Sequence, residues 1–123
     1  FEPLFLQLIR EIFMEQTVQK QAAHQVAYPL FLLGQVVATR GAMSIGDMPF
    51  FARCLNRHVR GDWGCVCEED RDTNNEALKA GNRILSAYAI DDTKPCEDHG
   101  DNTLWIITEA DRSVTTFLLP EEY

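Results

Sequence analysis

Three short runs rich in β-branched and aromatic residues crowd the C-terminal part of the chain: 83–90 (RILSAYAI), 103–110 (TLWIITEA) and 113–119 (SVTTFLL). Each has the length and composition of a strand. Only the polar turn 109–112 separates the last two, and so short a link joins strands only as an antiparallel hairpin. The chain is therefore expected to end in a β-meander, stopped by Pro120, which cannot donate to a sheet ladder. The link 91–102 between the first two runs is acidic and longer than a hairpin needs, and is read as an insertion.

Ahead of the meander the periodicity turns helical. Phe5, Leu8, Ile9, Ile12 and Phe13 recur at the spacing of one helix face, which predicts a helix over 3–21. That stripe either caps the core or packs against a second copy of the chain. A weakly patterned link follows over 22–29. Gln35–Thr39 reads as a strand closed by Gly41. Asp47 is placed as the N-cap of a second helix running to about His58, with Phe50, Phe51, Cys54, Leu55 and Val59 on its apolar face. Gly61 and Gly64 bracket a tight turn around Asp62 and Trp63. A third helix is predicted over 68–80, with acids in its first turn, Gly81 at its end, and only Val66, Ala77, Leu78 and Ala80 available to face a core. The expectation is one α+β domain over 1–123, with a helical extension over 1–29 and a core over 30–123. It has three helices and an antiparallel sheet of about four strands.

At 123 residues with 46% hydrophobic content, the chain is long enough to bury one core unaided. Its formal net charge of −8 is uneven. Residues 1–60 carry six basic and four acidic side chains, net +2, whereas 61–123 carry five basic and fifteen acidic, net −10. Contact with nucleic-acid phosphates needs a basic face, so direct nucleic-acid binding is not expected. The apolar opening lacks a basic leader and a cleavage site, and Gln7, Arg10 and Glu11 interrupt it. It is read neither as a signal nor as a membrane span, and the expected location is the cytoplasm. In that compartment Cys54, Cys65, Cys67 and Cys96 are expected as free thiols. Cys65, Cys67, Cys96 and His99 form the weakest of the candidate sites, because Cys-x-Cys is tighter than usual zinc spacing.

Two stretches concentrate chemistry. In 57–64, His58 and Asp62 are candidates for acid–base work, Arg57 and Arg60 for holding an anion, and Trp63 for lining a site. The alternative is structural: Trp63 fills the core and Asp62 pairs with Arg60 or caps the next helix. In 108–113, Glu109 and Asp111 are candidate paired carboxylates, with Arg112 beside them, although the same residues suit a hairpin turn. Thr108, Thr115 and Thr116 are read as lining a solvated sheet face, and His24 and His99 as surface residues. Phosphate-loop, dinucleotide-turn and nucleophile-elbow motifs are absent from the sequence, so no cofactor is expected.

Several stretches resemble a known family: LGQVVAT (33–39), RHVRGDWG (57–64), CEED (67–70), LSAY (85–88), WIITEADRS (105–113) and LLPEEY (118–123). They are similar to small bacterial proteins encoded on plasmids, prophages and other mobile elements. Such proteins are labelled plasmid-related proteins or, loosely, type I restriction enzyme subunit M. Residues 1–29 and 91–102 lie outside the resemblance. A base-modifying subunit needs a cofactor-binding glycine motif and an Asn/Asp-Pro-Pro-Tyr/Phe motif, and neither is present, so methyltransferase activity is not expected. The resemblance implies a mobile-element origin, and the expected role is a small acidic, non-enzymatic binding or regulatory protein that acts through a protein partner, its acidic half suiting a basic surface. A homodimer through the first helix is a further expectation. The alternative is a small hydrolase or nuclease-like enzyme built from His58, Asp62, Glu109 and Asp111, with Arg60 and Arg112 holding an anion.

Overall fold

Local signals set the order of elements along the chain. A computed structural model describes Glu2, Pro3 and residues 29–123. The predicted helix over 3–21, the homodimer contact assigned to it, most of the 22–29 link and His24 fall outside the described residues. Strand β1 is the two-residue piece Glu2–Pro3, and β2 is Gln35–Ala38. Helices α1 (Arg40–Ile45), α2 (Met48–Val59) and α3 (Glu68–Ala80) follow. Strands β3 (Ile84–Ala89), β4 (Thr103–Thr108) and β5 (Val114–Leu118) form the meander, and Pro120 opens a 3-10 turn over Pro120–Glu122.

The caps explain the helix bounds. Asp47 accepts the Phe50 N–H at 3.0 Å, and Pro49 sits in the first turn of α2. Gly81 closes α3 in the left-handed region. Helix α1 was not expected, and Gly41 lies inside it rather than closing β2. Thr39 caps it locally, and the Glu122 carboxylate accepts the Thr39 hydroxyl at 2.5 Å and the Gly41 N–H at 3.0 Å. A residue 81 positions away thus completes this short helix.

The sheet order is β1-β2-β5-β4-β3. Strands β3, β4 and β5 pair antiparallel in sequence, as the short turn requires, while β2 joins β5 in parallel. The result is an α+β fold on a mixed, mostly antiparallel sheet. All six residues of β4 are buried. Leu104 and Ile106 pack with Phe51, Leu55 and Phe117, while Trp105 and Ile107 pack with Val66, Ala77 and Leu118. Successive side chains of a strand point to opposite faces, so β4 carries a core on each.

Strand β3 is a sheet edge, and the chain covers it. The Asn74 side chain of α3 donates to the Leu85 carbonyl at 2.6 Å and accepts the Leu85 N–H at 3.1 Å. Two residues on, the Ala87 N–H donates to the Trp63 carbonyl at 3.0 Å, and its carbonyl accepts the Cys65 N–H at 2.7 Å. An exposed edge is a template for unwanted pairing, and these contacts remove it. Gly64 makes the approach possible: it holds φ +76°, and a Cβ there would lie 1.8 Å from the Ala87 carbonyl oxygen.

Three expectations are corrected. Thr108 and Thr115 are fully buried, not solvated, because covering elements enclose the sheet at that end. Cys65 and Cys96 are joined in a disulfide rather than free, since the edge contact at Ala87 holds the Cys65 segment beside the 91–102 loop. On α3, Asn74 faces inward while Ala80 is exposed. Among the described residues, no helix is long and apolar enough to cross a membrane.

Candidate functional site

The first candidate stretch closes α2 and turns toward the β3 edge. His58 is fully buried. Its Nδ1 meets the Ser86 hydroxyl at 2.5 Å and its Nε2 meets the Thr108 hydroxyl at 2.9 Å. The chain of bonds continues from Thr108 to Thr115 at 2.7 Å, and the Thr115 hydroxyl donates to the Leu33 carbonyl at 2.7 Å. Counting donors back from that carbonyl assigns every proton. Thr115 accepts from Thr108, Thr108 accepts from Nε2–H, and Nδ1 accepts from Ser86. Burial, and secondarily the Arg112 charge, lowers the pKa of His58 to about 3. The ring is a neutral Nε2–H tautomer with both nitrogens bonded. It has neither a lone pair nor a proton to offer a substrate.

Asp62 is half of a two-pronged ion pair. Arg57 donates to it from Nε at 2.8 Å and from Nη2 at 3.3 Å, and the Gly64 N–H adds a third bond at 3.2 Å. The guanidinium lies 4.6 Å from the centre of the Tyr88 ring. These bonds hold the Asp62 carboxyl below its usual range and raise Arg57. The partner of Asp62 is therefore Arg57, not Arg60, and the cap of α3 is Cys67. Arg60 ends α2, its N–H donating to the Arg57 carbonyl at 3.2 Å. Trp63 is buried as the structural reading anticipated, with its indole N–H on Asn75 at 3.0 Å.

The second candidate stretch is a hairpin turn. Asp111 accepts from the Ser113 N–H and hydroxyl, which lowers its pKa. Arg112 takes φ +60° and donates to the carbonyls of Asn82, Glu109 and Ala77. It thereby ties the turn to the C-terminal end of α3 and to Asn82 just beyond it. Glu109 is half-buried, and its backbone closes the turn with Val114 and Arg112. The fold brings the two stretches together around Phe31, whose ring meets His58 at 5.1 Å, Trp63 at 6.3 Å and the Arg112 guanidinium at 5.5 Å. What converges is a packed wall, and Asp62 and Asp111 are engaged in their own turns.

Elsewhere, a cleft of about 460 Å³ runs between α2 and the end of β3, lined in part by Asp47, Arg53, Arg57, Asp91 and Asp92. Asp47 is occupied as a cap, Arg57 by Asp62, and Asp91 by Thr93 and Lys94. Cys54, also in its lining, is pushed up to about 12 by burial and stays a thiol.

A third cluster lies where α3 begins. Donor atoms of Cys67, Asp70 and Asp98 all lie within 4.8 Å of one another. Asp98 is raised above its usual range, by burial first and by Asp70 second. Its Oδ1 is enclosed, and no donor of good geometry satisfies it. His99, grouped with the cysteines by sequence, packs edge-on against Trp105 at 5.0 Å. The pairing of Cys65 with Cys96 and the carboxylates of this cluster were missed because 31 residues separate the two cysteines. Ser86 was a legible signal for the histidine network, being a small polar residue among the aliphatic and aromatic side chains of β3. No family model, curated protein or solved structure matches the chain.

Proposed function

We propose that this chain is a non-enzymatic binding protein that meets a basic protein partner through an acidic face built from α3 and the 91–102 loop. The observation that carries this reading is the run of exposed acids on α3: Glu68, Glu69, Asp72 and Glu76. Among the described residues the ion pairs are Arg57–Asp62 and Lys94–Asp91, and neither neutralises these acids. Glu68 with Asp72, and Asp72 with Glu76, are like charges four apart on one helix, each pair costing about 0.2–0.5 kcal/mol. A cationic partner relieves that repulsion. Asp92, Glu97 and Asp101 continue the charge along the loop. The structural roles of His58, Asp62, Asp111 and Arg112 favour binding over catalysis. With the resemblance to mobile-element proteins, they favour a nucleic-acid-binding protein of the host or the element as the partner.

The test begins with affinity recovery from the native host and proceeds to calorimetry with the purified partner. Binding should weaken steeply with salt, and a Glu69→Lys, Asp72→Lys, Glu76→Lys variant should bind roughly tenfold or more weakly. Affinity indifferent to both changes would sink this reading. So would metal-dependent turnover of nucleic acid that is lost in Asp62→Asn.

A further inference from the structure

Two acid-bearing elements meet where α3 begins, and each is anchored to a different strand. The α3 side is fixed to β3: the Cys65 N–H donates to the Ala87 carbonyl at 2.7 Å, and Asn74 serves both polar groups of Leu85. The 91–102 loop is fixed to the start of β4. The Asn102 side chain donates to the carbonyls of Asp91, Lys94 and Pro95. The Thr103 hydroxyl donates to the Glu97 carbonyl at 2.5 Å, and the Trp105 indole donates to the Asp98 carbonyl at 2.6 Å. The Cys65–Cys96 disulfide is the covalent bond that joins the two sides.

The charges at the junction oppose that bond. Carboxylate oxygens of Asp70, on α3, and Asp98, on the loop, lie within 4.8 Å of each other. Both residues are half-buried, and solvent ions screen such a pair poorly. The Cys67 thiol bonds to Asp98 but supplies a single proton. Among the described residues the ion pairs are Arg57–Asp62 and Lys94–Asp91, and neither reaches this junction. Burial first, and Asp70 second, raise the Asp98 carboxyl above its usual range. Like charges this close press the loop and the α3 start apart.

We propose that the Cys65–Cys96 disulfide is a redox switch: it holds the 91–102 loop against α3 in the oxidised chain, and once a dithiol cuts it, repulsion between Asp70 and Asp98 opens the junction. Both cysteines are half-buried rather than enclosed, and reduction by exchange needs such access. One thiol of the reductant attacks a sulfur of the pair and forms a mixed disulfide. Its second thiol then displaces the protein. The dithiol gives up two electrons and two protons and leaves as its own disulfide, and Cys65 and Cys96 become thiols. The bistable element is the loop, and its position decides whether Asp92, Glu97 and Asp101 stand beside the exposed acids of α3. The effect on binding rests on the acidic face proposed above.

The test compares the full chain before and after dithiothreitol in native buffer. Thiols counted in denaturant should rise from the two of Cys54 and Cys67 to all four cysteines. Amides over 94–101 should exchange at least about tenfold faster in the reduced chain, while cross-strand NMR contacts among β3, β4 and β5 persist as the marker of an intact fold. In the reduced chain Asp98→Asn should recover at least about threefold of that protection, which a purely entropic crosslink would not. A disulfide that dithiothreitol leaves intact, or loop exchange equal in the two states, overturns the switch, and both results come from the wild type alone. Absence of the Asp98→Asn rescue overturns the part played by the carboxylates. Binding is read separately with octalysine, which the reduced chain should hold at least about threefold more weakly. No binding by the oxidised chain counts against the acidic face, whereas equal binding by both states counts against its control by the disulfide.

Discussion

A buried histidine with both nitrogens bonded is a stability element whose sign depends on pH. The folded chain does not protonate His58 until about pH 3, whereas the unfolded chain takes up that proton near 6.5. Acid therefore stabilises the unfolded state first. The contribution of the neutral ring is complete above about pH 6.5 and is lost as pH falls, by up to about 1.4 kcal/mol per unit until the folded pKa is reached. Replacing the ring with a non-titrating amide removes this slope. In urea unfolding at pH 7.5 and pH 4.5, the wild type should lose more stability between the two than His58→Gln does. An identical loss in both would place the acid sensitivity elsewhere. The same bond accounting explains why sequence reasoning overvalued this residue. A His four residues before an Asp suggests acid–base work, but Asp62 turns back to Arg57 while His58 points into the sheet.

Among the elements, the edge strand β3 is the informative one. Asn74 serves both polar groups of Leu85, so Asn74→Ala leaves two backbone groups short of a partner. The expected cost is about 2 kcal/mol, with faster hydrogen exchange at the Leu85 amide. Unchanged exchange there would mean that the edge is protected by something other than the asparagine. Gly64→Ala places a methyl group against the Ala87 carbonyl in a backbone conformation that L-residues avoid. It should cost at least about 2 kcal/mol in thermal or denaturant unfolding. A neutral result would show that the 63–65 segment can lift away from β3 freely. The bounds of α3 were legible because Gly81 and the acids of the first turn act within the helix itself. The inward face was legible at Ala77 and Leu78 but not at Asn74, because asparagine carries no apolar signal. Helix α1 was missed for a related reason: Glu122 supplies part of its cap.

For the whole molecule, the disulfide is the one covalent tie between the α3 start and the long loop. Closing a loop over a separation of 31 residues removes unfolded-state entropy worth about 3–4 kcal/mol. Reduction in chelator-containing buffer should lower unfolding stability by that order, and Cys96→Ser should match the reduced wild type. Equal stability of the oxidised and reduced chains would show that the 91–102 loop is held by Asn102, Thr103 and Trp105 alone. The acidic character belongs to this scale as well. It is concentrated after residue 60, and the fold places much of it on the exposed side of α3 and on the neighbouring loop.

The amino-acid sequence alone determined the meander, the bounds of α2 and α3, the Asp47 cap of α2, the Gly81 end of α3 and the acidity of the second half. Periodicity, caps and short turns act between residues a few positions apart, so they can be read without knowing the path of the chain. Only the tertiary structure decided that β2 joins β5 in parallel, that Thr108 and Thr115 are interior, and that Cys65 meets Cys96. It alone also silenced His58 by burying it between hydroxyls 28 and 50 residues away. Contacts at that separation follow from how the sheet and helices enclose one another, and a polar side chain carries no local mark of which side of that enclosure it will occupy.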